Sequence, residues 1–123
     1  MKPRYTYRAV AARTVDGDTV ELEIDLGFDI AHSITVRLAG IDAPEKRTVK
    51  TRPAALATQA RLAQLIERAL GTKTLVVSTE KGDPKEKFGR YLALLFNEGE
   101  PASFNDTLVA EGLAKPYDGG KRE

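Results

Sequence analysis

Residues 19–26 alternate strictly between polar and apolar side chains. In an extended strand, this alternation places all the apolar side chains on one face and the polar ones on the other. The segment therefore predicts a strand that covers a core on one side and faces solvent on the other. Residues 4–15 and 34–38 also have the character of strands, and Asp16-Gly17-Asp18 is a turn signal between the first two strands. The chain is thus predicted to begin with a three-stranded meander.

The second half of the chain predicts one long helix, two more strands and a short helix. Residues 39–52 are irregular, and a helical pattern of about 17 residues then runs from Pro53 to Gly71. Further strands are predicted at residues 74–79 and 90–96, and Ser103 with Asp106 predicts a capped helix that ends at Gly112. The apolar stripe expected to face the core from the long helix comprises Leu56, Ala60, Ala63, Ile66 and Leu70.

This order of elements predicts the fold class. Three strands, a helix, two strands and a helix is the order of an oligonucleotide-binding (OB) barrel, a mainly β fold with α-helices. A five-stranded meander capped by helices is the less specific alternative. A chain of 123 residues suits one domain, so residues 1–123 are predicted to form a single OB-type domain with residues 117–123 as a loose tail.

The composition excludes several classes of chemistry. The chain has no cysteine and only one histidine, His32, which removes thiolate metal sites, cysteine nucleophiles and multi-histidine metal sites. Catalysis would have to use carboxylates, Lys or Arg, hydroxyls or a hard metal ion. No run approaches the about 18 apolar residues of a membrane helix, so no membrane association is expected. The N-terminus has no apolar signal segment, which predicts a cytoplasmic protein if Met1 is the native start and leaves the compartment unknown otherwise.

The charges are segregated although their sum is only +1. Residues 16–29 contain six acids and no base, whereas residues 46–52 contain four bases and no acid. Two solvated surfaces would explain this pattern. An acidic pocket for a cation beside a basic rim for a polyanion would explain it as well.

Three short segments carry residues that could perform chemistry. Asp-Gly-Asp-Thr at 16–19 is either a tight hairpin turn or a turn that lifts a carboxylate to the end of a strand. In residues 37–45, Arg37 lies on the polar strand face and Asp42 and Glu45 flank Pro44. Turn chemistry and helix capping explain the two acids, but phosphate-ester hydrolysis needs the same residue types. Arg90, in Lys-Phe-Gly-Arg-Tyr at 87–91, is either a surface arginine or a second phosphate ligand.

Together these segments resemble the staphylococcal nuclease (thermonuclease) family. The resemblance rests on Asp-Gly-Asp-Thr at 16–19, Arg-Leu-x-Gly-Ile-Asp-x-Pro-Glu at 37–45, Lys-Phe-Gly-Arg at 87–90 and Gly-Leu-Ala-Lys at 112–115. It extends from about Val10 to Tyr117. It implies a Ca²⁺-dependent endonuclease on an OB barrel, which hydrolyses DNA and RNA with little sequence preference and leaves 3′-phosphate ends.

The resemblance also implies a role for individual residues. Asp18, Asp42 and the backbone carbonyl of Ala43 would bind Ca²⁺, with Asp16 behind them. Arg37 and Arg90 would hold the phosphate, and Glu45 would be the general base for the attacking water. Substrate-binding residues would be Lys46, Arg47, Lys87, Phe88 and Tyr117.

Two departures from the family pattern bear on this assignment. Phe88 stands where the family has a tyrosine, so it retains a stacking face but lacks a hydroxyl. Ala43 stands where the family has a threonine, which changes nothing if the metal ligand is the carbonyl.

Two other function classes compete with the enzyme. One is a non-catalytic OB module that binds nucleic acid or a protein, and the other is a structural calcium-binding barrel built on Asp16, Asp18 and Asp42. The presence of Arg37, Glu45 and Arg90 beside the metal-binding acids favours the enzyme. The alternating strands show no unsatisfied apolar stripe, so a monomer without an obligate protein partner is expected.

Overall fold

The computed structural model describes residues 5–80 and 90–117, and it contains the predicted strands and helices in the predicted order. One two-stranded element was not predicted, because its strands are only two residues long. In chain order the elements are β1 (Tyr5–Asp16), β2 (Thr19–Asp25), β3 (Ala31–Leu38), β4 (Ile41–Asp42), α1 (Arg52–Thr72), β5 (Leu75–Glu80), β6 (Tyr91–Asn97), α2 (Phe104–Ala110) and β7 (Lys115–Pro116).

Five strands close into a barrel in the order β1-β2-β3-β6-β5. The meander β1–β3 and the hairpin β5–β6 are antiparallel, and β1 also pairs antiparallel with β5. The closing contact is parallel, because β3 and β6 run in the same direction with Arg37 opposite Leu92. A closed mixed barrel with a helix between β3 and β5 confirms the predicted OB-type α+β fold and is incompatible with an open meander.

The alternation in β2 determines which side chains fill the barrel. Val20, Leu22 and Ile24 are buried, whereas Glu23 is exposed and Glu21 is partly exposed. Burial of this face drives barrel formation at roughly 25 cal/mol for each Å² of apolar surface. The buried apolar cluster also includes Val36 and Leu38 from β3, Leu75 and Val77 from β5, Ala93 and Leu95 from β6, Leu62, Leu65, Ile66 and Ala69 from α1, and Phe104 and Leu108 from α2.

The predicted core face of α1 is wrong. Of the predicted stripe only Ile66 is buried, while Leu56 is 51% exposed and Leu70 is 37% exposed. The face that packs on the barrel carries Ala55, Thr58, Leu62, Leu65, Ile66 and Ala69. Apolar residues occur on more than one side of this helix, so several faces satisfy the spacing of 3.6 residues per turn. Contact with the barrel selects the face that includes Thr58, whose hydroxyl donates to the carbonyl of Leu113 at 2.6 Å.

The segment after the barrel is attached to the loop that follows β3. Ile41 pairs with Pro116 and Asp42 with Lys115, and the Tyr117 N–H donates to the Gly40 carbonyl at 2.8 Å. These bonds bring the residues next to Asp42 together with the start of the predicted tail; residues 118–123 lie outside the described residues. None of the helices in the described part of the chain is long and apolar enough to cross a membrane.

The short helix α2 begins as the sequence predicts. The Ser103 side chain accepts a hydrogen bond from the Asp106 N–H at 3.0 Å, which is the expected N-cap. The helix ends at Ala110, two residues before Gly112, which adopts a left-handed φ of 75°. A left-handed glycine is a common helix terminator, so the predicted boundary is close to the observed one.

Candidate active site beside the long helix

The turn between β1 and β2 packs directly against α1 and the loop after β4. The φ of Gly17 lies outside the left-handed region, so the residue is not required by turn geometry. A Cβ at Gly17 would instead lie 2.7 Å from Thr58 Cγ2 and 3.0 Å from Ala43 Cβ. Glycine therefore allows this close approach, and the Asp18 carboxylate then accepts the Ala43 N–H at 3.0 Å.

Asp18 and Asp42 face the same guanidinium. Nη2 of Arg37 lies 3.6 Å from Oδ2 of Asp18 and 3.3 Å from Oδ1 of Asp42. The three side chains are only 12%, 15% and 18% exposed for Arg37, Asp18 and Asp42 respectively. Partial burial strengthens both the repulsion between the acids and their attraction to Arg37, because less water screens the charges.

Two further predicted residues adjoin this group. Nη1 of Arg90 lies 3.3 Å from Oγ1 of Thr19, and the Thr19 hydroxyl donates to Asp18 at 3.3 Å. The Arg37 guanidinium lies over the Tyr117 ring, 5.2 Å from its centroid, a cation–π distance. The structure thus places Asp18, Arg37, Asp42, Arg90 and Tyr117 in one continuous group.

Glu45 lies in the loop that leads into α1. Its backbone carbonyl accepts a hydrogen bond from the Thr51 hydroxyl at 2.5 Å, and the Lys46 carbonyl accepts one from Arg52 Nε at 3.0 Å. The exposed Glu45 carboxylate lies 3.5 Å from Nη2 of Arg47, whose side chain is 86% exposed. The first turn of α1 therefore holds the backbone of this loop, and the Glu45 side chain is 43% exposed.

Lys46 and Asp16 contact each other at the end of β1. Nζ of Lys46 is 3.2 Å from Oδ1 of Asp16, 2.8 Å from the Val15 carbonyl and 3.2 Å from Oε1 of Gln59. The described lysine contacts are thus with protein oxygens on β1 and α1. Lys87 and Phe88, which were predicted to bind substrate, lie outside the described residues.

The side chains that could bind a metal beside Arg37 are carboxylates, which are hard oxygen donors. Among the described residues, no three His, Cys, Asp or Glu side chains are arranged to hold an ion. Asp18 and Asp42 are nevertheless brought together, and Ca²⁺ accepts carboxylates, backbone carbonyls and water in flexible geometry. The donor set therefore fits a Ca²⁺ ion whose remaining ligands are backbone and water oxygens.

The site includes residues that the sequence analysis did not identify. Thr19 connects Asp18 to Arg90, Thr51 binds the Glu45 carbonyl, and Gln59 binds Lys46. Thr51 precedes a proline-containing helix start, which is a typical capping position, but its hydroxyl bonds the incoming loop instead. Only Thr19 carried a usable signal, because it belongs to the Asp-Gly-Asp-Thr segment.

Clefts elsewhere lie away from this group of charges. A cleft of about 390 Å³ opens at the barrel end lined by Tyr5, Tyr7, Leu26 and Tyr91, among others. Its lining contains none of Asp18, Arg37, Asp42 or Glu45. The candidate site is defined by its converging side chains.

The closed mixed barrel with its two helices defines the class of the protein, an OB-type α+β barrel. The family described as staphylococcal nuclease homologue matches residues 35–122, and the chain belongs to this family. The match includes Arg37, Asp42, Glu45 and Arg90, so the predicted resemblance is confirmed.

Three relatives illustrate the similarity. The SPbeta prophage-derived endonuclease YokF of Bacillus subtilis is 32% identical over 105 residues, covering 84% of this chain and 32% of YokF. Endonuclease YncB of the same organism is 30% identical over 105 residues, covering 84% of this chain and 44% of YncB. An uncharacterized protein of Methanocaldococcus jannaschii is 31% identical over 128 aligned positions, covering 90% of this chain and 59% of that protein. The chain thus spans about a third to three-fifths of the length of these relatives.

Proposed function

We propose that this chain is a Ca²⁺-dependent endonuclease that hydrolyses phosphodiester bonds in DNA and RNA. The observation that carries the proposal is that one nitrogen of Arg37, Nη2, lies 3.6 Å from Asp18 and 3.3 Å from Asp42. Two acids and a permanent cation in a partly buried position suit a polyanionic substrate that arrives with a divalent ion. Membership of the nuclease family and the names of the two Bacillus relatives support the same reaction.

In this proposal Asp18, Asp42 and the Ala43 carbonyl hold Ca²⁺, and Asp16 contributes negative charge from behind. Bound there, the ion supplies positive charge that polarises the phosphate. Arg37 and Arg90 cannot lose their protons at neutral pH, so they bind the phosphate oxygens as fixed cations. Their charges offset the negative charge that grows on the phosphorus-bound oxygens in the transition state.

Glu45 is the proposed general base. Its exposed carboxylate accepts a proton from the attacking water, whose oxygen forms a new bond to phosphorus. The bond from phosphorus to the 5′-oxygen breaks and that oxygen takes a proton from solvent water, which leaves a 3′-phosphate and a 5′-hydroxyl. The backbone contacts of Glu45 to Thr51 support this role, because a base must be held at a constant position to act efficiently.

Substrate contacts outside the reacting phosphate are proposed to be non-specific. Tyr117 offers an aromatic face, and Arg47, Lys50 and Arg52 are exposed in the basic segment 46–52. Phosphate contacts from such residues carry no sequence information, in keeping with low sequence preference. The proposed unit is a single domain that acts as a monomer.

The test uses closed circular single-stranded DNA, which has no ends and so reports internal cleavage. We expect the circle to be lost with Ca²⁺, to survive with EDTA, and to survive with the Glu45→Gln protein. Glu98→Gln, which neutralises an exposed acid just after β6, is the matched control and should cleave normally. Binding of the circle without cleavage in Ca²⁺, Mg²⁺ and Mn²⁺ would replace the enzyme with the non-catalytic binding module.

A further inference from the structure

The ammonium of Lys46 lies among three protein oxygens. Nζ lies 2.8 Å from the Val15 carbonyl, 3.2 Å from Oε1 of Gln59 and 3.2 Å from Oδ1 of Asp16. A lysine ammonium has three N–H donors and no acceptor. Two of these oxygens accept hydrogen bonds from the ammonium and the third, on Asp16, forms an ion pair with it, so a substrate phosphate would have to compete with these contacts.

Two of these oxygens belong to the end of the strand that leads to Asp18, one of the proposed metal-binding acids. Val15 and Asp16 end β1 immediately before the turn that presents Asp18. Gln59 lies on α1, and its amide donates to the hydroxyl and carbonyl of Thr14 at 3.3 and 3.4 Å. Lys46 thus connects the loop that carries Glu45 to the end of β1 and to α1.

The same loop is held from its other side through its backbone. The carbonyls of Glu45 and Lys46 accept hydrogen bonds from the side chains of Thr51 and Arg52. The position of Glu45 therefore depends on contacts to α1 and, through Lys46, to β1. Of these three contacts, that of Lys46 reaches the strand that leads to Asp18.

We propose that Lys46 is a positioning residue, which holds Glu45 at a constant distance from the acids at Asp18 and Asp42 without binding substrate phosphate. This role rests on the proposed nuclease activity. It differs from the interpretation suggested by the sequence, in which a lysine within a basic segment contacts the polyanion. The two roles predict different changes on substitution.

A phosphate contact and a positioning contact affect different measurements. Each lost phosphate contact on a single strand lowers the slope of log K against log salt by about 0.7. A lost positioning contact leaves that slope unchanged and slows the chemical step, because a displacement of about 1 Å can cost about 100-fold in rate. Binding slopes and single-turnover rates together separate the roles.

The principal experiment compares Lys46→Met with the wild type and with Lys73→Met. Methionine retains the length of the stem and removes the ammonium. Lys73→Met removes the same charge beyond the far end of α1, about 30 Å along the helix axis. Binding of a single-stranded oligonucleotide in EDTA is measured at salt concentrations from about 50 to about 200 mM. Cleavage in Ca²⁺ is measured with saturating protein in a single turnover.

We expect equal salt slopes for all three proteins and a rate about 10- to 100-fold lower for Lys46→Met alone. A slope lowered by about 0.7 with an unchanged rate would make Lys46 a phosphate ligand and overturn the proposal. An unchanged slope with an unchanged rate would also overturn it, because the contacts would then have no catalytic consequence. Circular dichroism and thermal unfolding show whether each variant is folded at the assay temperature.

Two further variants distinguish positioning from charge. Lys46→Arg retains the cation, but the planar guanidinium cannot direct its donors as a compact ammonium does, so we expect the rate to remain low. A phosphate ligand would tolerate arginine, and full activity would contradict positioning. Gln59→Leu removes one acceptor without changing any charge and should also slow cleavage at an unchanged slope.

If the wild type fails to cleave, the proposed function itself is wrong and this role falls with it. If the wild type cleaves and the Lys46 variants cleave at the same rate, the positioning role is wrong but the proposed function stands.

Discussion

Gly17→Ala tests the close contact on which the candidate site depends. The new Cβ would meet Cγ2 of Thr58 at 2.7 Å and Cβ atoms of Thr58 and Ala43 at 3.0 Å, whereas carbon atoms normally pack at about 3.5–4.0 Å. Thr58 is fully buried and its hydroxyl lies 2.6 Å from the Leu113 carbonyl and 3.0 Å from the Ala54 carbonyl, so it cannot rotate away without losing its hydrogen bond. Overpacking of this kind costs about 1–3 kcal/mol.

The expected net loss in the free energy of unfolding is about 1–2 kcal/mol. The steric cost lies in the upper part of the range, because two of the three clashing atoms are Cβ atoms fixed to the backbone. Replacing glycine by alanine also restricts the unfolded chain, which returns about 0.4–1 kcal/mol. The corresponding fall in Tm is about 3–10 °C for a domain of this size. Urea and thermal unfolding followed by circular dichroism measure both quantities.

A control and a double variant make the interpretation specific. Gly71→Ala lies near the end of α1, where a Cβ meets nothing within 4 Å, and should stabilise the protein by about 0.5–1 kcal/mol. Thr58→Ser removes the methyl group that lies nearest the new Cβ but retains the hydroxyl. In the double variant it should therefore recover part of the stability that Gly17→Ala loses. Equal stability of the two alanine variants would refute the packing argument. So would additivity of Gly17→Ala and Thr58→Ser to within about 0.5 kcal/mol.

Three other perturbations test separate parts of the structure. Asn105→Leu removes an amide that bonds three backbone groups on β6 and the loop after β3, and urea unfolding should show a loss of about 3 kcal/mol, near 1 for each bond. The Arg61 guanidinium donates hydrogen bonds to the Glu111 carboxylate and lowers its pKa from the usual value of 4.5. The Arg61–Glu111 pair therefore stabilises the fold at pH values above 4.5. The stability difference between wild type and Glu111→Gln should therefore vanish as the pH falls through the folded-state pKa, and a difference that persists in acid contradicts this. Ca²⁺ at about 100 times its Kd should stabilise the wild type by about 2.7 kcal/mol, and calorimetry should show no such gain for Asp42→Asn.

The barrel strands were predictable because their pattern is local. A period of two residues in residues 19–26 is sufficient to distinguish the inward side chains from the outward ones, and the structure places Val20, Leu22 and Ile24 inside as expected. The Ser103 cap of α2 was predictable for the same reason, since donor and acceptor are three residues apart. The pairings that close the barrel, β1 with β5 and β3 with β6, join residues distant in the chain.

The face of α1 was not predictable from spacing. The sequence offers Leu56 and Leu70 on one side and Leu62 and Leu65 on another, and both sets have helical spacing. Two hydrogen-bonded positions, Thr58 to Leu113 and Gln59 to Thr14, lie on or beside the side that meets the barrel. Such bonds form between groups far apart in sequence, so the pattern of apolar residues does not reveal them.

The candidate site also has residues that the sequence identified and one, Lys46, that only the structure distinguished. The motifs identified Asp18, Arg37, Asp42 and Arg90, and the structure brings them together, although their individual roles remain proposals. Spacing alone did not distinguish Lys46 from its neighbours in the basic segment. The structure directs its ammonium toward β1 and leaves Arg47 exposed.

The sequence by itself determined the order of strands and helices, the inward face of β2 and β3, the capping of α2 and the residue types available for chemistry. These properties depend on side chains within a few residues of one another, where backbone geometry relates position to direction. Only the tertiary structure decided which face of α1 is buried, why residue 17 must lack a side chain and where Lys46 donates its hydrogen bonds. These outcomes depend on atoms that the folded barrel brings within about 4 Å from distant parts of the chain, and close packing accepts only one such arrangement.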